Sequence, residues 1–165
     1  MKKAIYTLLF AFIALKGFSE CRKDTVMKYT FVTGTLVKNL DGRTIYSYNS
    51  QDSLLQTLNQ KWSSGAWVND SKNDYTYDTA GKRTQQLFQI WSSGAWVNVS
   101  KYDYTYDAAG KRTQQLYQLW SSGAWINYSK NDYIYDAAGN QTQSIYQNWN
   151  SGAWVNYSKS SYTYD

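Results

Sequence analysis

The sequence predicts an all-β fold, an antiparallel β-meander of hairpins with about two strands in each 29-residue repeat. Three observations carry this. First, Trp62, Trp91, Trp120 and Trp149 stand at one constant interval and open the same phrase. The units starting at Trp62 and Trp91 agree at 24 of 29 positions, and those at Trp91 and Trp120 at 20, which marks a repeat architecture. Second, apolar and aromatic residues alternate at period two, with no stripe at three and four residues. Third, turn residues separate these runs at hairpin length, so consecutive strands should pair antiparallel. A β-solenoid with one unit per coil is the alternative topology.

Residues 1–19 have the three-part pattern of a secretory signal peptide. Lys2 and Lys3 precede an apolar run from Ala4 to Leu15, and Gly17 and Ser19 supply small residues near a cleavage point. That run is too short to span a bilayer, and no later segment is apolar enough to do so. The mature chain is therefore expected to be secreted or held at the cell surface. Cys21 follows the leader and is a lipidation candidate. Phe18 and Glu20 occupy the places where a lipobox carries Leu and a small residue, so a free thiol is expected ahead of acylation.

Residues 20–45 form an N-terminal segment, either a degenerate cap or a first repeat, and 46–165 form the tandem array. The array's start rests on Tyr46, Tyr48, Asn49, Gln56, Leu58, Gln60 and Trp62, each one period before its counterpart; Thr33 is the earlier limit. The array stops at Tyr162-Thr163-Tyr164-Asp165, where the next Ala-Ala-Gly turn is due. Truncation is expected there, or else a bare edge strand open to self-association.

Within a unit, Thr113 to Trp120 reads as one strand, with Leu116, Gln118 and Trp120 on one face and Gln115, Tyr117 and Leu119 on the other. Trp125 to Asp136 reads as the second. Asp107-Ala108-Ala109-Gly110 suits a type I turn, with Asp accepting local N–H groups and glycine in the left-handed bulge position. Asp78 with Gly81 and Asp136 with Gly139 repeat this design. The other link, Ser-Ser-Gly-Ala, is a short glycine loop.

Composition narrows the function. With no histidine there is no Ser-His or Cys-His pair and no imidazole metal site, and one cysteine forbids a disulfide framework. Glu20 is the only glutamate, so carboxylate chemistry would rest on Asp alone. Near-identical repeats copy a surface and do not build a unique catalytic constellation. No enzyme activity, cofactor or metal is expected. The formal charge is +5, but Trp62 to Asp165 holds eight Lys or Arg and eight Asp, so no cationic stripe for nucleic acid exists there. The same stretch has twelve Leu, Ile, Val and Phe against twenty-one Trp and Tyr, so aromatic cross-strand pairs should hold the sheet.

Tyr104-Thr105-Tyr106-Asp107-Ala108-Ala109-Gly110-Lys111, with copies at Tyr75 to Lys82 and Tyr133 to Asn140, resembles the YD repeat of the RHS family. The resemblance implies secreted or surface β-strand arrays, which in large RHS proteins wind into a shell around a toxin domain. The period here is longer than that family's, and the W-S-S-G-A-W-V-N phrase is an addition to its signature. Small exported bacterial proteins with W-x-x-G-x-W-x-N phrases are also similar. Choline-binding cell-wall repeats share the style of Trp120, Gly123, Trp125 and Tyr128.

The candidate site residues are the paired tryptophans Trp62, Trp67, Trp91, Trp96, Trp120, Trp125, Trp149 and Trp154. They could stack on sugar rings, but they are expected first as hydrophobic core, because little else is available for it. Asp103 and Asp107 offer carboxylates for calcium or acid–base work, although turn capping is the expected use of Asp107. Asn98, Asn127 and Asn156 open glycosylation sequons, and stacked asparagines bonding across strands are expected instead. The expected role is a structural or adhesive surface scaffold. Carbohydrate binding is the alternative and an RHS-type shell fragment the second alternative. Polysaccharide or surface proteins are the expected partners.

Overall fold

The computed structural model describes residues 4–6, 25–31 and 38–164. The expected leader lies outside these apart from Ala4–Tyr6, and Cys21 lies outside them entirely. The elements are β1 (Ala4–Tyr6), β2 (Thr25–Phe31), β3 (Lys38–Tyr48), β4 (Leu54–Ser63), β5 (Ala66–Tyr77), β6 (Arg83–Ser92), β7 (Ala95–Tyr106), β8 (Arg112–Ser121), β9 (Ala124–Tyr135), β10 (Gln141–Asn150) and β11 (Ala153–Ser161). Strand order follows chain order. β2 with β3, β4 with β5, β8 with β9 and β10 with β11 are all antiparallel pairs. The fold is a meander and not the parallel coil of a solenoid, because such short links can only fold the chain back on itself. Two compact units arise, Met1–Asp74 with Gln89–Val97, and Tyr75–Phe88 with Asn98–Asp165.

In the first unit the hairpin of β3 and β4 turns at Asn49. Its Oδ1 accepts the Gln51 and Ser53 backbone N–H groups at 3.0 and 2.8 Å, and its carbonyl accepts that of Asp52 at 3.1 Å. Asp52 takes φ 61° where later copies place glycine. The repeat also reaches earlier than Tyr46: Arg43, one period before Lys72, already occupies the basic position of the array.

The second unit contains the Asp-Ala-Ala-Gly turns in full. Gly110 N–H donates to the Asp107 carbonyl at 2.9 Å, Lys111 N–H donates to Asp107 Oδ1 at 2.8 Å, and Gly110 has φ 76°. This is a type I turn closed by a left-handed glycine. Asp78 and Asp136 make the same bond to Lys82 and Asn140 at 2.8 Å each.

The Ser-Gly links hold a feature that was not evident in the sequence. Ser122 (φ 51°) and Gly123 (φ 83°) are both left-handed, as are the equivalent pairs at 64–65, 93–94 and 151–152. Two consecutive positive φ angles make a type I′ turn, whose twist matches that of the flanking strands. Ser121 therefore pairs with Ala124, and both strands extend one residue further toward the turn than expected. Serine is a poor occupant of the first left-handed position, where Asn is preferred. Ser122→Asn should stabilise the chain by about 0.5 kcal/mol. A higher midpoint in urea with unchanged slope is the expected readout, and an unchanged midpoint would count against this turn geometry.

The repeated motif W-x-N-x-x-K-x-D changes parity between Asn and Lys. On β9, Asn127 lies opposite Gln118 and Ser129 opposite Tyr117, so Tyr128 is the extra residue of a β-bulge. Tyr157 and Asp70 occupy the same place on β11 and β5. One extra residue reverses the alternation of faces, which keeps Trp125, Asn127, Lys130 and Asp132 on one face.

The tryptophans form no closed core. Among the described residues Val26 is the buried hydrophobic side chain, and no large side chain is fully buried. Both faces of the hairpins stay partly in solvent, and side chains are covered by same-face neighbours on adjacent strands.

Candidate functional site

One face of the hairpins carries a recurring sequence of pairs, with the last hairpin placing Ser161 where the others have Asp. Next to the type I′ turn, Trp120 faces Trp125 across the strands, with ring centroids 5.0 Å apart and planes at 66°. Trp62–Trp67, Trp91–Trp96 and Trp149–Trp154 repeat this edge-to-face contact at 5.1, 5.1 and 4.9 Å. The register makes them directly opposed cross-strand neighbours, and edge-to-face is the arrangement aromatic quadrupoles prefer. Trp62 is 40% exposed and the other seven are half-buried.

Two positions further along each strand comes an amide pair. Gln118 Nε2 donates to Asn127 Oδ1 at 2.7 Å, and Gln60–Asn69 and Gln147–Asn156 repeat the bond at 2.8 and 2.7 Å. This corrects the expectation of stacked asparagines. Each of these Asn side chains pairs with a Gln on the neighbouring strand, because the 29-residue period separates like residues by two strands, too far for side chains to bond directly.

Beyond the bulge lies a charged triplet. Lys130 Nζ contacts Asp132 Oδ2 at 2.8 Å, and Asp132 Oδ1 accepts Gln114 Nε2 at 2.7 Å. Lys72–Asp74–Gln56 and Lys101–Asp103–Gln85 are the same triplet. Asp103 thus serves a local ion pair, and among the described residues no group of three or more His, Cys, Asp or Glu could hold a metal ion.

The same lysines join successive repeats. Lys101 Nζ lies 5.2 Å from the Trp125 ring centroid and Lys130 Nζ 5.2 Å from that of Trp154, each reaching past an intervening strand. In the first unit Lys72 sits 5.1 Å from Trp96, and the Arg43 guanidinium 4.6 Å from Trp67. The sequence did not single out these cations, although their fixed spacing after each Trp pair was visible in it.

The opposite face of the second unit is tyrosine-rich. Tyr102 stacks on Tyr117 at 4.6 Å, and the bulge residues Tyr128 and Tyr157 meet Tyr117 and Tyr146 edge-on at 5.6 and 5.7 Å. Burial, aided by the nearby phenols of Tyr117 and Tyr146, raises the Tyr102 phenol above its ordinary value. Burial also raises Tyr104, against the pull of Arg83 and Arg112. A phenol with a raised folded value stabilises the fold fully below its unfolded value near 10, and that contribution fades as pH rises through the folded value. Absorbance titration should show a tyrosine fraction ionising late, in step with alkaline unfolding.

Tyr106 and Tyr135 donate their hydroxyls to the carbonyls of Arg83 and Arg112, 23 residues earlier, at 2.7 and 2.9 Å. Arg83 stacks 4.3 Å from the Tyr75 ring centroid, and its Nε is buried without a hydrogen-bond partner.

The expected turn residues all sit at turns. The Asp136 carboxyl is held below the ordinary carboxylate range, chiefly by the Asn140 backbone N–H. Its stabilising effect is present above the ordinary range and is lost as pH falls through the depressed value. Asp136→Asn should keep the turn, as Asn49 does in the first hairpin, and should flatten the acid side of the stability profile. An unaltered acid limb would refute the role.

No family model matches the chain, and no curated protein matches it. Among solved structures, a protein of unknown function from Bacteroides fragilis is similar, with a TM-score of 0.56 at 18% identity over 72% of this chain and 91% of that one. A DUF3836 family protein from Bacteroides vulgatus matches at 24% identity and TM-score 0.42 over 51% of this chain and 89% of its own. One from Parabacteroides distasonis matches at 19% and 0.37 over 47% of this chain and 76% of its own. The first likeness is one of fold alone.

Proposed function

We propose that this chain is an exported, non-catalytic scaffold that adheres at a cell surface through many equal copies of one aromatic and amide face. One observation carries the proposal: Trp pair, amide pair and charged triplet stand at the same hairpin register on β4–β5 and β8–β9, as in Trp120–Trp125, Gln118–Asn127 and Lys130–Asp132, and the Trp and amide pairs return on β10–β11. Equal weak contacts in a row gain strength by multivalency, whereas catalysis needs one asymmetric constellation. The leader-like residues 1–19 support export, and the likeness of Tyr104–Lys111 to YD repeats supports a surface β-array. Carbohydrate binding is the second reading, favoured by the half-exposed indoles. A shell segment of an RHS-type protein is the third and rests on the Tyr-x-Tyr-Asp phrase alone.

The test compares the chain with a version carrying a second copy of residues 91–119. Retention on bacterial envelopes and insoluble polysaccharide should rise severalfold with the added unit. No retention by either chain, or equal retention by both, would remove the adhesive role.

A further inference from the structure

We infer that the tryptophan face binds a neutral, extended β-1,4-linked polysaccharide lying across the strands, one disaccharide to each hairpin. This rests on the adhesive function proposed above and names its ligand class.

The spacing is the first support. In the second unit Trp120–Trp125 lies on β8 and β9, and Trp149–Trp154 on β10 and β11 at the same register. Neighbouring strands are about 4.8 Å apart, so successive Trp pairs advance by about 9.6 Å. That is close to the advance of one disaccharide in an extended β-1,4 chain, whose alternate residues present the same ring face. A helical α-1,4 chain of the same sugars turns away and cannot keep this step.

Chemistry supplies the second support. Sugar rings offer flat C–H-rich faces with hydroxyls at their rims. Each repeat sets half-exposed indoles beside an amide pair. The bond from Gln118 Nε2 to Asn127 Oδ1 leaves the Gln carbonyl oxygen and the Asn amino group as an adjacent acceptor and donor. Gln147 and Asn156 do the same one repeat later. An acceptor and a donor side by side suit a pair of vicinal hydroxyls.

Charge supplies the third support, and it selects a neutral glycan. Lys101 and Lys130, the cations against Trp125 and Trp154, are each neutralised by Asp103 and Asp132 at 2.8 Å. An acidic polysaccharide would have to break these pairs. Strand twist of about 20° per step turns successive pairs relative to one another, so a stiff glycan should follow two pairs and then leave the face.

The experiment titrates the full chain with cellobiose, cellohexaose, mannohexaose and maltohexaose, following tryptophan fluorescence and calorimetry. Cellohexaose or mannohexaose should bind saturably, at least about tenfold more tightly than cellobiose, because a second contact adds to the first. Maltohexaose should give no response. Gln118→Leu with Gln147→Leu, which leaves every indole in place, should weaken hexasaccharide binding about tenfold. Circular dichroism of this variant verifies that the sheet is kept. If this variant does not fold, the contrast between β-1,4 and α-1,4 hexasaccharides decides alone. Equal response to maltohexaose, or none to either β-1,4 hexasaccharide, overturns the inference. If envelope retention still rises with added repeats in that event, the adhesive role stands and only its ligand is wrong. Hexasaccharide binding without envelope retention would leave the glycan site standing and remove the adhesive role.

Discussion

Gly110→Ala should destabilise the chain by about 2 kcal/mol, whereas Gly81→Ala, the same change one repeat earlier, should cost about 1 kcal/mol. Both glycines have φ 76°, so the conformational cost of a left-handed alanine is shared. They differ in what lies above them. A Cβ on Gly81 meets nothing within 4 Å, but one on Gly110 would clash with Lys82 Cε and stand 2.6 Å from its Nζ. Lys82 would have to swing off, giving up its place 5.6 Å from the Tyr106 ring centroid. The sequence is consistent with the asymmetry: the residue one period before Lys82 is Ser53, so the array has no lysine at the corresponding place before Gly81. Urea melts of both variants in wild-type and Lys82→Ala backgrounds check it. The difference between the two glycines should vanish in the second background, and a difference that survives there would refute this account.

Trp125→Ala should cost about 3 kcal/mol, near the low end for a core tryptophan, because the indole is half-buried yet makes two specific contacts. It loses the edge of Trp120 at 5.0 Å and the Lys101 ammonium at 5.2 Å. A double-mutant cycle between Trp120 and Trp125 should give a coupling of about 1 kcal/mol, and one between Lys101 and Trp125 about 0.5 kcal/mol. The second coupling should shrink in high salt while the first should not. If Trp125→Ala cost no more than an exposed substitution, the ladder would contribute nothing to the fold.

Much of the hairpin was legible locally. Asp107 to Gly110 names its own turn, because a capping Asp followed three places later by glycine suits a type I turn closed by a left-handed residue. The alternation from Leu116 to Trp120 names the faces of β8. The type I′ turn was less legible, since serine at positions 64, 93, 122 and 151 does not advertise a positive φ. The bulge at Tyr128 was encoded, but only as a parity change between Asn127 and Lys130 whose meaning depends on the partner strand.

The candidate site divides in the same way. Trp120 and Trp125 announced themselves as a pair, since they flank one short glycine loop that folds the two strands back on each other. The link from Lys101 to Trp125 did not, because it passes over an intervening strand, and nothing in the local sequence says how far a lysine will reach. The same applies to the Tyr106 hydroxyl and the Arg83 carbonyl, 23 residues apart.

The sequence by itself determined the unit: two strands, two turns, a 29-residue period and a composition with no histidine and almost no glutamate. These follow from local sterics and from repetition, which need no partner. Only the tertiary structure decided what the aromatic residues do. Burial depends on what lies above a side chain, and here the cover comes from the preceding repeat's cations and from cross-strand amides and rings, and not from a second layer. The tryptophans that composition marked as core are therefore a half-exposed ladder, and that exposure is what the proposed ligand would use.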